Sequence, residues 1–443
     1  MADLFALLSI GSSSMSAQNS GIAITANNVA NVNTEGYSKE RVGDDASGAP
    51  VRLHDDLLTG QIQTAAGSLA MSEAFADALA SLETGVAGGG STVDEQIANL
   101  FSKAGQASAA PTDSASRNAV VAAARDLVAG IQRRAVAVAQ ARQDANTRIG
   151  DNAAQATALA KQLAAANAAV AKTHSPAALD QRDKIAKQIG ELVGGKARVD
   201  HDGQMRYVLD GGAVLVDGIH AAKLASHPDA ATGDTKVEIV DGAARRDVTA
   251  AIGSGKIAAN LKFRDQNVAQ AATKLDQLAF DVTSSINAVH TANAGLDGVS
   301  GRPMFTPTAQ VAGAAAAMAV DPALLADSKL LALSAPGAGP GDNSGALAMF
   351  SLAGQNVASG GTTLGESALG IVSDVAVSSA NAKGDVMRDS LVSDGLAGLR
   401  DSLAGVDTQE ELTNLARFEH ASTAMGKFVT TIDGMLGSLI DSL

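Results

Sequence analysis

The chain has 443 residues, 46% of them hydrophobic but only 2% aromatic, with no cysteine, no tryptophan and a formal net charge of −14. The length suggests roughly two to four domains with ample material for a core. The missing cysteine excludes disulfides, thiol catalysis and Cys-based metal sites. The acidic balance argues against a nucleic-acid surface, as does the lack of any basic cluster longer than Arg133-Arg134 or Arg245-Arg246. With so few aromatics, cores must come from Ala, Val, Leu and Ile, which favours long, closely packed helices.

The first expected element, over residues 1–40, is a helix followed by a polar loop. Leu4, Leu8, Met15, Ile22 and Val29 step by threes and fours, and Gly11, Gln18 and Thr25 fill the other seam positions. No basic segment precedes Leu4–Ile10, and no apolar run reaches about 18 residues. Neither a cleaved secretory signal nor membrane insertion is therefore expected. By itself this reads as cytoplasmic, and export without a cleaved signal would leave the same trace. Asn27, Asn28 and Asn31 lie in a stretch dense in asparagine that should end the helix, because Asn side chains bond to their own backbone and tolerate left-handed conformations. Gly36 suits a turn of positive φ.

Residues 41–195 are expected to be mainly helical. Pro111, Thr112, Asp113 and Ser114 form a helix-start signal, and no proline follows until Pro176. A further helix over 177–193 should end at Gly194-Gly195. Residues 196–255 change character. Asp-Gly pairs at 202–203, 210–211, 217–218 and 241–242 punctuate short β-forming runs at 205–209, 213–216 and 236–240, which predicts an inserted antiparallel β-domain.

Residues 256–293 return to helix. Leu261, Val268, Leu275, Val282 and Val289 recur every seven residues, with Ala271 and Leu278 on a second line. This helix is expected to pack against the one over 114–173. Residues 294–346 read as loop-rich, a reduced outer segment, and 347–406 as a return to the helical domain. The last element, 407–443, carries a heptad seam of Leu415, Phe418, Ser422, Met425, Val429, Ile432, Leu436, Leu439 and Leu443. A helix with one narrow apolar stripe needs a partner. The two terminal helices therefore either pair with each other or dock with copies of the chain. The fold class is mainly α with an inserted antiparallel β-domain, with long helices from both termini pairing as a coiled coil in a multi-domain, rod-like architecture.

Candidate chemistry is sparse. Asp180 and Asp183 flanking Arg182 resemble a carboxylate pair, but their place at a helix start favours interaction with the macrodipole, and Arg182 with Asp183 reads as a solvated ion pair. His201-Asp202 belongs to a turn, and the seven histidines are scattered at 54, 174, 201, 220, 227, 290 and 420, which argues against a zinc site. The loop around Asp297-Gly298 lacks the alternating oxygens and closing Glu of a calcium loop. No phosphate cradle or nucleophile elbow is present. No catalytic, metal or cofactor site is expected.

Several segments carry a family resemblance. Leu7-Leu8-Ser9-Ile10-Gly11, followed by Asn27-Asn28-Val29-Ala30-Asn31-Val32-Asn33-Thr34-Glu35-Gly36-Tyr37-Ser38, is similar to the N-terminal signature that rod, hook and junction subunits of the bacterial flagellum share. Leu179-Asp180-Gln181-Arg182-Asp183, the hairpin at Gly203–Tyr207, Gly255-Lys256-Ile257, the segment Gly341–Ala348, and Gly405-Val406 with Glu410-Glu411-Leu412 and Leu415-Ala416-Arg417-Phe418 are more specific, and they occur in matching order. The chain resembles the hook–filament junction family of axial flagellar proteins, the first hook-associated proteins. Departures lie at Asp407-Thr408-Gln409, Glu419-His420-Ala421 and in the short stretch after the β-domain, where a large outer domain of some members is reduced or missing.

The resemblance implies a structural, self-assembling subunit with no reaction. Its terminal helices would line an inner tube, fold as neighbours arrive, and contact copies of the chain. The implied neighbours are the hook protein below and a second junction protein or flagellin above, with an export chaperone for the C-terminal helix. The implied location is the extracellular flagellum, reached through the flagellar export apparatus. Leu4, Leu8, Met15, Ile22 and Val29, with Leu415, Phe418, Met425, Val429, Ile432, Leu436 and Leu439, are the expected assembly seam, and Asn27, Asn28 and Asn31 the helix exit. Another axial subunit of hook or rod is the nearest alternative. A peptidoglycan-cleaving flagellar enzyme is a further one.

Overall fold

A computed structural model describes residues 2–43 and 48–441, and for residues 2 and 3 the backbone alone. Helix α1 (Ala2–Ala30) opens the chain and is followed by a small hairpin, β1 (Glu40–Val42) with β2 (Pro50–Arg52). Three helices come next: α2 (Asp56–Ala87), α3 (Val93–Ala107) and the 60-residue α4 (Ser114–Thr173). The expected start of α4 is made by Asp113, whose Oδ2 accepts from the Ser116 N–H at 2.8 Å. Helix α5 (Pro176–Val193) begins with Pro176 behind the capping residue Ser175 and ends at Gly194, where φ is +65°.

The β-region forms two antiparallel sheets rather than one. β3 (Lys196–Val199), β4 (Met205–Val208), β5 (Val214–Asp217) and β6 (His220–Ala221) lie in sequence order in the first. β7 (Lys223–Pro228), β8 (Thr235–Asp241) and β9 (Ala244–Asp247) form the second. Asp-Gly turns close three of the hairpins, with Gly203, Gly218 and Gly242 at positive φ, while the β7–β8 turn uses Gly233. In the turn after β4 that role falls to Gly212 instead. Helix α4 pins both sheets. Asn167 Nδ2 donates to the carbonyls of Met205 and Gly218 at 2.8 and 2.7 Å. Thr157 Oγ1 bonds both the N–H and the carbonyl of Leu224.

The chain then continues through α6 (Gly255–Lys262), a π-turn over Phe263–Val268, and α7 (Ala269–Ala292). The seven-residue pattern gave no sign of this widened turn. It carries buried Arg264, which donates to Asn146 Oδ1 of α4 at 2.9 Å. Leu275, Leu278 and Val282 are buried as the pattern required, while Val289 is only half-buried and Ile286 and His290 take over the inner face. Short helices α8 (Ala314–Ala317), α9 (Pro322–Ala326) and α10 (Ser344–Ser351) precede the long α11 (Leu364–Ala404) and α12 (Thr408–Ile440).

Two compact units result. One comprises residues 1–71, 150–258 and 387–443, and the other 72–149 and 259–386. The second unit has a dense aliphatic core that includes Leu127, Ile131, Leu278 and Phe305. The irregular stretch after α7 belongs to that core. Side chains of the long helices bind its backbone. Buried Arg117 donates to the Leu331 carbonyl at 2.7 Å, and Asn287 Nδ2 to that of Phe305 at 2.8 Å. Arg134 closes the end of α2 by donating to the carbonyls of Val86 and Ala87, which lack helical partners. His290 is fully buried. Its Nδ1 lies 2.7 Å from the Arg302 carbonyl, and its Nε2 accepts from the Ala332 N–H at 2.9 Å, which fixes the neutral tautomer with the proton on Nδ1.

Candidate assembly site

The two ends of the chain meet. Helices α1 and α12 pack against each other in antiparallel orientation. Gly21 faces the Phe418 ring, Asn19 Oδ1 accepts from Ser422 Oγ at 3.0 Å, and Gly11 faces Val429. Glycines at the crossing points let the helices approach closely. A Cβ on Gly21 would stand 2.7 Å from a Phe418 ring carbon, and one on Gly11 2.9 Å from Val429 Cγ2.

The expected seam residues lie along this contact to differing depths. Leu4, Leu8, Met15, Ile22 and Val29 are half-buried, as are Leu415, Phe418, Met425 and Val429. Ile432 and Leu436 are buried, Leu439 is exposed, and Leu443 lies outside the described residues. The stripe therefore packs within one chain. The apolar side chains left over gather at the free end of this hairpin, where Phe5, Ile10, Met435 and Ile440 are exposed.

At the other end the hairpin joins the body through a buried polar neck. Asn28 is 1% exposed and uses all four of its hydrogen-bonding positions. Its Nδ2 donates to the Glu40 carbonyl at 2.9 Å and to Glu411 Oε2 at 3.0 Å. Its Oδ1 accepts from the Tyr37 hydroxyl at 2.7 Å and the Glu40 N–H at 2.9 Å. Glu411 is 2% exposed, and Lys39 Nζ lies 3.1 Å from its Oε1 and 2.8 Å from Glu410. The two chain connections are tied directly: the Lys39 N–H donates to the Ala404 carbonyl at 2.8 Å and Arg400 Nη2 to that of Tyr37 at 2.7 Å.

The neck is fastened to α5 by the Leu179–Asp183 motif. Asp180 accepts from the Ser38 N–H and hydroxyl at 2.9 and 2.8 Å, and Arg52 Nη1 reaches both Asp180 and Asp183. Arg182 is not a solvated partner of Asp183. It is buried and donates to the Gly203 carbonyl at 2.8 Å.

The three asparagines divide their work. Asn31 Nδ2 donates to the carbonyl and side chain of Asn27, making the helix exit, while Asn28 turns inward to the neck. Sequence reasoning did not single out Lys39, Glu40 or Arg400, and it met Glu411 only within the Glu410-Glu411-Leu412 part of the C-terminal family signature. The available signal was Thr25 and Asn28, polar residues one turn apart on the face that the seam buries.

Burial raises the Tyr37 pKa well above its ordinary value, helped by the charges of Glu40, Asp180 and Glu411. It also raises that of Glu40, against the hydrogen bond from Asn27. Burial works against the Lys39 ammonium, but its contacts with Glu410 and Glu411 outweigh that and hold its pKa high. The neck therefore places ionised Lys39 beside two carboxylates in a partly dry setting, where charge-assisted bonds are strong. Nothing in this arrangement activates a nucleophile. Among the described residues no group of three or more His, Asp or Glu side chains could hold a metal ion, and no helix is long and apolar enough to cross a membrane.

The sequence model of the flagellar hook-associated protein FlgK helical domain matches residues 79–305, just over half of the chain, and that of the flagella basal body rod protein matches residues 8–37. Flagellar hook-associated protein 1 of Salmonella typhimurium is 24% identical over 327 residues, which cover 68% of this chain and 59% of that protein. The Escherichia coli protein of the same name is 23% identical over 325 residues, with the same coverage. The chain thus spans about 59% of the length of these curated relatives. The structure of the flagellar hook junction protein FlgK from Burkholderia pseudomallei superposes with a TM-score of 0.71 at 14% identity, covering 78% of this chain and all of that one. The chain belongs to the FlgK family of flagellar hook-associated proteins.

Proposed function

We propose that this protein is a structural subunit of the bacterial flagellum that forms the junction between hook and filament. It assembles through its terminal helices and carries out no reaction. The single observation that carries this reading is the hairpin itself. Helices from opposite ends of the chain pair through a seam with few fully buried side chains and leave apolar residues exposed at their free end. Such a surface is consistent with burial by neighbours in an assembly. The match to the FlgK helical-domain model over 79–305 favours the junction over another axial subunit, since the segment matching the rod protein is confined to residues 8–37.

Under this reading the neighbours are copies of the chain, the hook protein on one side and a second junction protein or flagellin on the other. A chaperone holds the C-terminal helix before export, and the protein resides outside the cell in the flagellum. Electron microscopy of cells lacking the gene, with a blot for flagellin in the medium, tests the reading. Intact hooks without filaments and with free flagellin are expected. Missing hooks would make the chain a rod or hook subunit, and normal flagella would overturn the reading. Ile432→Asp is expected to abolish incorporation while leaving both sheets folded, and normal incorporation of that variant would remove the seam from the assembly mechanism.

A further inference from the structure

A groove of about 720 Å³ opens in the unit that carries the hairpin, between the first turns of α2, the last third of α11 and strand β3. Its lining mixes apolar side chains with polar ones, among them Gln61, Thr64 and the carboxylates of Asp56 and Asp389. Leu57 is 74% and Val392 52% accessible, and Leu396 lies half-buried between them. Val392, Leu396, Leu399 and Leu403 continue in steps of four, three and four, a short heptad stripe in which only Leu396 is half-buried. The remaining wall is an edge strand, and its Lys196 and Arg198 make no ion pair among the described residues.

The free end of the hairpin has the complementary character. Phe5 and Ile10 of α1 and Met435 and Ile440 of α12 are exposed there, and antiparallel pairing brings them to the same end. The charges of α12 beyond Lys427 are all acidic, and Asp433 and Asp441 are exposed. Resting on the self-assembly reading above, we propose that the groove receives the free end of the hairpin of a second copy of this chain. The apolar side chains fill it, and the two aspartates meet Lys196 and Arg198.

In this chain the hairpin end and the groove are both exposed, so neither covers the other. At 1.5 Å per residue, Met435 stands about 40 Å along α12 from the neck, while Val392 stands about 18 Å from the neck along α11. Allowing for the connection over 405–407, the two patches of one copy are at least about 10 Å apart whatever the angle between the helices. The contact is head-to-tail, between unlike surfaces, and contacts of that kind propagate into rings or helical tubes. A competing role for the two cations is to keep edge strand β3 from pairing with another strand.

Charge reversal and crosslinking in the full-length chain separate the two. Lys196→Glu with Arg198→Glu, and separately Asp433→Lys with Asp441→Lys, alter exposed side chains and are expected to leave the circular dichroism unchanged. Each pair should lower the sedimenting assembled fraction about tenfold at low salt, and the fourfold variant should restore it. A photo-crosslinking residue at position 57 should attach to residues 1–12 or 428–441 of another copy. Undiminished assembly of the reversed pairs, or crosslinks to strand β3 of another copy, would overturn the docking while leaving self-assembly standing. A wild-type chain that stays monomeric at every concentration would overturn both.

Discussion

The helical unit and the terminal hairpin are built from the same small aliphatic residues and differ in how far those residues leave water. In the helical unit Leu127, Ile131, Leu278 and Phe305 are wholly enclosed, and even the irregular stretch after α7 is held by Arg117, Asn287 and His290. In the hairpin the apolar side chains buried to the same class are few: Ile24, Ile432 and Leu436. Burial of apolar area drives folding, so the first region holds itself together and the second depends on its polar neck and on what covers its outer face.

The largest effect that would test this contrast is Leu278→Ala. It should cost about 3 kcal/mol and lower hydrogen-exchange protection throughout α7, with little change in α1 or α12. Loss of protection in both regions together would show that they unfold as one. Asn28→Ala removes the acceptor of the Tyr37 hydroxyl and of the Glu40 N–H and the amide donor to Glu411 Oε2, and should cost about 2 kcal/mol. The loss is expected at residues 37–42 and 408–412, and protection unchanged there would demote the neck to a surface contact.

Acid should act on the helical unit through His290. Burial lowers its folded pKa below the unfolded value of 6.5. The unfolded chain therefore binds the proton first, and the stability present above pH 6.5 declines as pH falls through the window between the two values. His290→Gln should flatten this part of the pH profile of thermal unfolding, whereas a profile that keeps its slope would assign the effect to other groups.

The smallest effect is a pair of opposite sign. Gly434→Ala meets nothing within 4 Å and should gain up to about 1 kcal/mol of helix stability. Gly21→Ala drives a methyl into the Phe418 ring and should cancel that gain or reverse it, by at most about 1 kcal/mol. Equal gains at both sites, read by helical circular dichroism, would mean that the hairpin is open in solution.

Much of the fold was legible because it repeats. The steps of three and four in α12, the Asp-Gly turns and the start of α4 at Asp113 are local signals. Helix α2 was not singled out, because its glycines and small polar residues blur any stripe. The π-turn escaped because the partner of its buried Arg264, Asn146, lies across the fold. The neck was illegible for the same reason. Asn28 and Glu411 are ordinary polar residues on amphipathic helices, and their significance comes from meeting across most of the sequence.

That meeting amounts to an inspection of the chain's own completeness. The partners of Lys39 and Asn28 from the far end are Ala404, Glu410 and Glu411, so a product ending before them leaves the first helix without its clasp. The sheets and the helical unit draw nothing from residues beyond 404 among the hydrogen bonds described above. A truncated molecule would thus fold its body and still present a first helix with no partner along its seam. The state of the first forty residues reports whether the residues beyond 404 were made.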